Sequence, residues 1–297
     1  MHTFDATLPH GVTLSCRSAG TNEAEGPKVL FLHGFPEAAF IWDEVIDALQ
    51  SSFAPTRCWA PNLRGFERST RPSDVQAYRA KHVVADLDAL IAQRLDGCAD
   101  LVVAHDWGGA IAWNLAAVAP HRLKQLLIIN APHPATFLRE LRHNPQQQAA
   151  SAYMNFLCRP DAQALLQEND YARLWPFFEN MGGPAWLTPA LREQYRAVWA
   201  QGLEGGLNYY RASPLKPALD DTDILWSLEL PDALTRVQIP TTVLWGEQDR
   251  ALLPSLLDGL DQWVPRLQVH RVPEASHWLI HEQPHLVATT VRALLGR

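Results

Sequence analysis

The chain has 297 residues, 47% of them hydrophobic and 19% charged, with a formal net charge of −7. This apolar content excludes intrinsic disorder, and a chain near ~300 residues buries enough surface to need neither disulfides nor a structural metal. A negative balance without a basic stripe excludes nucleic acid, whose phosphates demand cations.

In chain order, the opening MHTFDAT has no basic n-region and no apolar h-region, so it does not read as a secretory signal. No apolar run approaches the ~20 residues of a membrane helix. A cytoplasmic protein with no membrane partner is expected. Residues 28–33 (KVLFLH) form a strand pattern, followed by a Gly34-Phe35-Pro36 turn. Residues 40–49 have helical spacing, and 57–61 read as a second strand. Residues 82–95 place apolar side chains at 83, 84, 87, 90, 91 and 95, an amphipathic helix. Strands at 101–104 and 126–129 flank a nearly uncharged helix over 107–118, which predicts burial of both its faces. This alternation predicts an α/β fold with a doubly wound, mostly parallel sheet. From 132 to about 217 strand patterns vanish; helix-like stretches at 149–157, 161–167 and 190–199 stand between prolines and glycines. Strands resume at 241–245 and 267–272, and a helix over 284–295 closes the chain. The expected organisation is a core of 1–132 and 216–297 with an inserted helical cap over 133–215. The four cysteines, Cys16, Cys58, Cys98 and Cys158, make no C-x-x-C pair and are expected as free thiols.

The sharpest motif is Ala104-His105-Asp106-Trp107-Gly108, where an apolar strand turns into a helix. Small residues two positions either side of the tip permit the tight turn of a nucleophile elbow. The tip residue is Asp106, a carboxylate at the carboxyl edge of the sheet, where open α/β folds bind ligands. An aspartate there also serves simply as a helix cap. Two further strand ends separate the readings. Asp249 follows strand 241–245 and His277 follows strand 267–272, giving nucleophile, acid and histidine in the chain order of an α/β-hydrolase triad. His33-Gly34-Phe35-Pro36-Glu37 adds a strand-end glycine turn. The backbone N–H groups of Phe35 and Trp107 are candidates for an oxyanion hole, while His33 and Glu37 read as loop hydrogen-bonding groups. A carboxylate nucleophile suits displacement at saturated carbon, through an alkyl ester that water then hydrolyses. His277, His281 and His285 are spaced by four, but Pro284 interrupts them and no H-E-x-x-H is present, so no metal is expected. No G-x-G-x-x-G or Walker sequence occurs, so no cofactor is implied.

The motifs HGFPE at 33–37, NLRGFERS at 62–69, HDWGG at 105–109, NAPHP at 130–134, WGEQD at 245–249 and ASHW at 275–278 resemble the epoxide hydrolase and haloalkane dehalogenase branch of the α/β-hydrolase superfamily. The resemblance spans nearly the whole chain; it departs at Asn62, where the family usually has Asp. It implies two cap tyrosines that donate a proton to an epoxide oxygen, and Ala152-Tyr153-Met154-Asn155-Phe156 and Asn208-Tyr209-Tyr210-Arg211 match their surroundings. Tyr153 and Tyr210 are the implied donors, since a phenol stays protonated at neutral pH. The implied activity is opening of a small, apolar epoxide by water to a vicinal diol, without cofactor. Dehalogenation by the same three residues is the alternative, with a haloacid less favoured because no arginine follows Asp106. A non-catalytic hydrolase-fold binding module is a further alternative, and a homodimer is left open. Of the eleven tryptophans, Trp107, Trp175, Trp186 and Trp278, together with Phe156, are expected to line a dry substrate cavity.

Overall fold

A computed structural model describes residues 1–20, 25–51, 56–180 and 184–296. The strands are β1 (His2–Thr7), β2 (Thr13–Ala19), β3 (Lys28–Leu32), β4 (Arg57–Pro61), β5 (Leu101–His105), β6 (Leu126–Ile129), β7 (Thr241–Gly246) and β8 (Leu267–Val272). They form one sheet in the order β1-β2-β4-β3-β5-β6-β7-β8. The β1–β2 and β2–β4 pairs are antiparallel and the remaining pairs are parallel. β5 and β6 are buried along their whole length, as continuous apolar runs covered on both faces must be. The β1–β2 hairpin lies outside the expected strand list. Its first strand is mostly exposed and mixes polar with apolar residues, so it carries little hydrophobic signal.

The helices before β6 are α1 (Asp43–Gln50), α2 (Ala80–Arg94) and α3 (Asp106–Val118). Between β6 and β7 come α4 (Pro134–His143), α5 (Pro145–Ala150), α6 (Tyr153–Leu157), α7 (Ala162–Tyr171), α8 (Trp175–Glu179), α9 (Pro189–Trp199), α10 (Glu204–Ala212) and the short α11 (Asp232–Thr235). The described residues of this stretch contain no strand. After β8 follow α12 (Leu279–Glu282) and α13 (Pro284–Leu294). The single helix expected over 149–157 is divided between α5 and α6, at a turn where the Gln147 side chain donates to Ser151 Oγ and Ala251 O at 2.8 Å each. All four cysteines are free thiols, two buried and two half-buried. No described helix is long and apolar enough to cross a membrane.

The helical stretch is bolted to the sheet by polar contacts at its base. Trp199 Nε1 donates to Pro36 O at 2.7 Å, and the Tyr209 hydroxyl to Arg64 O at 3.0 Å. Gly65, at φ +86°, meets Gly205 of α10 backbone to backbone; a Cβ on Gly205 would lie 2.2 Å from Gly65 O. Only glycine permits this approach, and it sets the depth at which α10 sits over the sheet edge. The loop beneath is held by Arg64, whose Nε and Nη2 each reach the Asp86 carboxylate at 2.5 Å while Nη1 donates to Ala77 O at 2.7 Å. Asp86 is 1% exposed and also meets His10 Nε2 at 2.6 Å. Removing one member of a buried pair strands the other charge. Asp86→Leu is therefore expected to lower unfolding free energy by about 3–5 kcal/mol, read by urea denaturation; a loss under ~1 kcal/mol would mean that Arg64 re-solvates freely.

Candidate active site

Asp106, Asp249 and His277 converge at the carboxyl ends of β5, β7 and β8, although 171 positions separate the first from the last. Asp106 takes φ +48°, an uncommon conformation for a residue with a side chain and the mark of a strand turned abruptly into a helix. Its flanks show why small residues are required. A Cβ on Gly108 would stand 2.5 Å from Leu32 O, and one on Gly34 would stand 2.1 Å from Asp106 Oδ1. The Asp106 side chain does not cap α3, whose N-cap position is His105. Instead Oδ1 accepts the Phe35 N–H at 2.8 Å. Oδ2 lies 3.7 Å from His277 Nε2, beyond hydrogen-bond range. Trp107 sits in the first turn of α3, where backbone N–H groups have no intrahelical acceptor.

His277 Nδ1 lies 2.7 Å from Asp249 Oδ2. The Asp249 carboxylate is itself fully engaged. Oδ1 accepts the N–H groups of Ala251 and Leu252 at 2.9 Å each, and Oδ2 accepts Asn130 Nδ2 at 2.9 Å. Burial works against a charged imidazole, but the Asp249 carboxylate, by charge and hydrogen bond, outweighs it. With Asp106 and Glu37 adding to the effect, His277 is raised to about 9. A second buried network lies behind this histidine. Glu37 receives the Tyr195 hydroxyl at 2.8 Å and meets His281 Nε2 at 2.9 Å and His105 Nδ1 at 3.1 Å. His105 Nε2 in turn contacts His277 O at 2.8 Å, pinning the backbone of the histidine loop. Burial alone would push the Glu37 carboxyl up, yet the hydrogen bonds and charges of His105 and His281 hold it well below the usual carboxylate range. His33 braces the loops, with Nε2 accepting Leu63 N–H at 3.1 Å, and Asn62 accepts Ala39 N–H at 2.7 Å.

A cavity of about 600 Å³ opens over Asp106 and Trp107, with Tyr153 of α6 and Tyr210 of α10 in its wall. Tyr210 packs edge-on against Trp107 at 5.0 Å and Phe35 at 5.5 Å, and Tyr153 edge-on against Phe177 at 5.5 Å. Burial, then the charge of Asp106 with that of Asp249, pushes Tyr153 above the ordinary phenol range. Burial, then Tyr153 and Asp106, raises Tyr210 well above it, against a hydrogen bond from Trp107. Both hydroxyls therefore stay protonated.

The expected aromatic lining is corrected by the structure. Of the rings named from sequence, Trp107 faces the cavity; Trp175, Trp186, Trp278 and Phe156 are not among its lining residues. Trp175 donates to Asp170 O at 2.9 Å and packs on Trp199. Trp186 stacks flat on His281 at 4.3 Å, and Trp278 donates to Phe177 O at 3.0 Å. Phe156 packs against the core cluster, half-buried. Ile111, Phe137, Met154, Tyr209, Leu230 and Leu252 line the cavity in their place. Sequence reasoning also assigned no role to Asn130, at φ +39°, whose side chain ties Gly246 N–H to Asp249. Its signal was an Asn closing a strand, since Asn tolerates positive φ. Among the described residues no cluster of His, Cys, Asp or Glu is arranged to hold a metal ion.

An eight-stranded, mostly parallel sheet with a carboxylate elbow, an acid and a histidine at the ends of β5, β7 and β8 defines an α/β hydrolase, and residues 27–284 match the α/β-hydrolase fold family, to which the chain belongs. It is 34% identical over 281 residues to the AB hydrolase superfamily protein YfhM of Bacillus subtilis (strain 168), covering 94% of this chain and 92% of that one. It is 29% identical over 279 residues to epoxide hydrolase 4 of Mus musculus, covering 91% of this chain and 73% of the relative. The inhibitor-bound crystal structure of Bacillus megaterium epoxide hydrolase superposes with a TM-score of 0.87 at 31% identity, over 99% of this chain and 100% of that one. Within the family the protein falls in the epoxide hydrolase branch and is a hydrolase.

Proposed function

We propose that the protein hydrolyses an apolar epoxide to a vicinal diol through an ester on Asp106, with residues 133–215 acting as a cap over the site. The observation that carries this reading is a carboxylate and two tyrosines, Tyr153 and Tyr210, on the walls of one cavity, with a His277–Asp249 pair beside the carboxylate. Asp106 Oδ2 attacks a ring carbon, and the C–O bond breaks as the tyrosine hydroxyls donate to the departing oxygen. Water then attacks the ester carbonyl and His277 Nε2 takes its proton. The negative charge develops on Oδ1, which already accepts the Phe35 N–H and which Trp107 N–H would join in holding. The adduct then collapses with cleavage of the carbonyl carbon–Oδ2 bond, His277 gives its proton to the departing diol oxygen, and the proton of the regenerated Asp106 acid restores the tyrosine. Esterification also removes the Asp106 charge, one of those that raise His277. The imidazole thereby becomes easier to deprotonate when a base is needed. Asp249 keeps the ring oriented throughout.

The dehalogenase alternative needs two side-chain N–H donors on a halide. Trp107 is one, although it already hydrogen-bonds Tyr210; the indole N–H groups of Trp175 and Trp199 are taken by Asp170 O and Pro36 O, and Trp186, whose buried N–H has no partner among the described residues, does not line the cavity. Styrene oxide and a bromoalkane, each with an Asp106→Ala control, separate the two readings. Diol without bromide is the expected result; bromide without diol would sink it.

A further inference from the structure

We infer that the outer end of the cavity is an anion subsite, and that the preferred substrate is an epoxide whose apolar arm ends in a carboxylate held by Lys216 and Arg79. The inference rests on the hydrolase reading above and adds a substrate class to it.

The cavity is long. Asp106, Ala110, Ile111 and Asn114 all line it, and their spacing places them on one face of α3 across two turns, about 12 Å. The apolar side chains of Ile111, Phe137 and Leu230 suit an alkyl or aryl arm along this path. Asp106 is the only carboxylate among the lining residues, whereas Arg79, Arg211 and Lys216 are all cationic. Arg211 is already committed, to Glu204, to Asn208 Oδ1 at 2.9 Å and to Arg159 O at 2.8 Å. Lys216 is half-buried and gives one hydrogen bond, to Ser213 O at 2.8 Å, leaving two N–H donors. Arg79 is exposed at the start of α2. Among the described residues neither Lys216 nor Arg79 has a carboxylate partner. Elsewhere in this acidic chain arginines are commonly matched, as in Arg17–Asp43, Arg64–Asp86 and Arg122–Asp88. Two unmatched cations lining one cavity attract an anion, and a half-buried ammonium binds it more strongly than a fully solvated one.

The test compares terminal epoxides whose arms end in a carboxylate or in the matching carboxamide, over a series of arm lengths. The readout is the ratio of the two kcat/KM values on one preparation, so each variant carries its own folding control. Wild-type protein should favour the carboxylate roughly tenfold at the arm length that spans the cavity, the worth of one hydrogen bond to a charged group. That ratio should fall towards one in Lys216→Met/Arg79→Met and as salt is raised. A ratio at or below one for every arm, with the carboxamides still giving diol, overturns the subsite and leaves the hydrolase reading intact. So does a preference that survives in the double variant. No diol from any epoxide removes the hydrolase reading and the subsite with it.

Discussion

Replacing His277 by Gln is expected to stop the reaction halfway, with one equivalent of epoxide consumed per chain and the adduct held on Asp106. In the proposed mechanism the first half needs Asp106 and the tyrosines; only the second needs a base. Gln keeps an amide able to hydrogen-bond Asp249, whose carboxylate retains its backbone donors from Ala251 and Leu252 and the Asn130 amide, so the loop should keep its shape. Steady-state diol formation should drop by about 10⁴ or more, as for other members of such triads. Peptide mapping should find the added mass on the segment that holds Asp106, and Asp106→Ala should show none. An adduct on any other residue, or undiminished turnover, would overturn the mechanism. A stability measurement gives an independent check. The folded-state pKa of His277 is raised to about 9 from an ordinary 6.5. Its charged pairing thus stabilises the fold fully below that ordinary value and is lost as pH rises through about 9. His277→Gln should therefore lower the melting temperature at pH 6 more than at pH 10.

Why this centre was legible in one sequence, and the cavity wall was not, has a physical basis. A nucleophile elbow imposes local demands, small residues around a tip, that leave a pattern within five positions. Strand ends do the same for Asp249 and His277, because the apolar run of β7 and the alternation of Leu267, Val269 and Val272 with polar residues in β8 mark where those strands stop. Such patterns also placed β3 to β8 in the sheet. The β1–β2 hairpin lacks such a run and escaped notice. Side-chain direction in the helical stretch obeys no such local rule. Trp175 and Trp186 sit in the right segment, yet one turns towards Arg192 and Arg196 and the other stacks on His281. Which way each ring faces depends on how short helices pack on one another, which periodicity over five residues does not encode. The buried network of Glu37, His105, Tyr195 and His281 is equally non-local, since its members lie up to 244 positions apart. Glu37 was read as a loop hydrogen-bonding group; that it joins α9 to the loop behind His277 is visible only in three dimensions.

Loss of the Tyr153 and Tyr210 hydroxyls should cost as much as loss of the histidine, but only for one kind of leaving group. A ring oxygen departs as an alkoxide, a far stronger base than either tyrosinate, so it must receive a proton or strong hydrogen bonds as the C–O bond breaks. General-acid assistance is worth 10²–10⁴ in rate, and Tyr153 and Tyr210 share the cavity wall above Asp106. Either single Phe variant leaves one donor in place and should slow ester formation by about 10². Tyr153→Phe/Tyr210→Phe should slow it by about 10⁴ or more. Phe keeps the ring contacts with Trp107, Phe35 and Phe177, so an unchanged melting temperature would confirm that only donors were removed. A halide needs no proton to leave. If the double variant hydrolysed styrene oxide at more than a tenth of the parent rate, the tyrosines would not be the donors. If bromide release were the parent activity and survived the double substitution, the leaving group would be a halide. Because burial and nearby negative charge hold both phenols above their ordinary pKa, the parent rate of ester formation should not decline as pH rises through 10. A decline centred there would mean that a tyrosine ionises as freely as in water, and that the donors lie elsewhere.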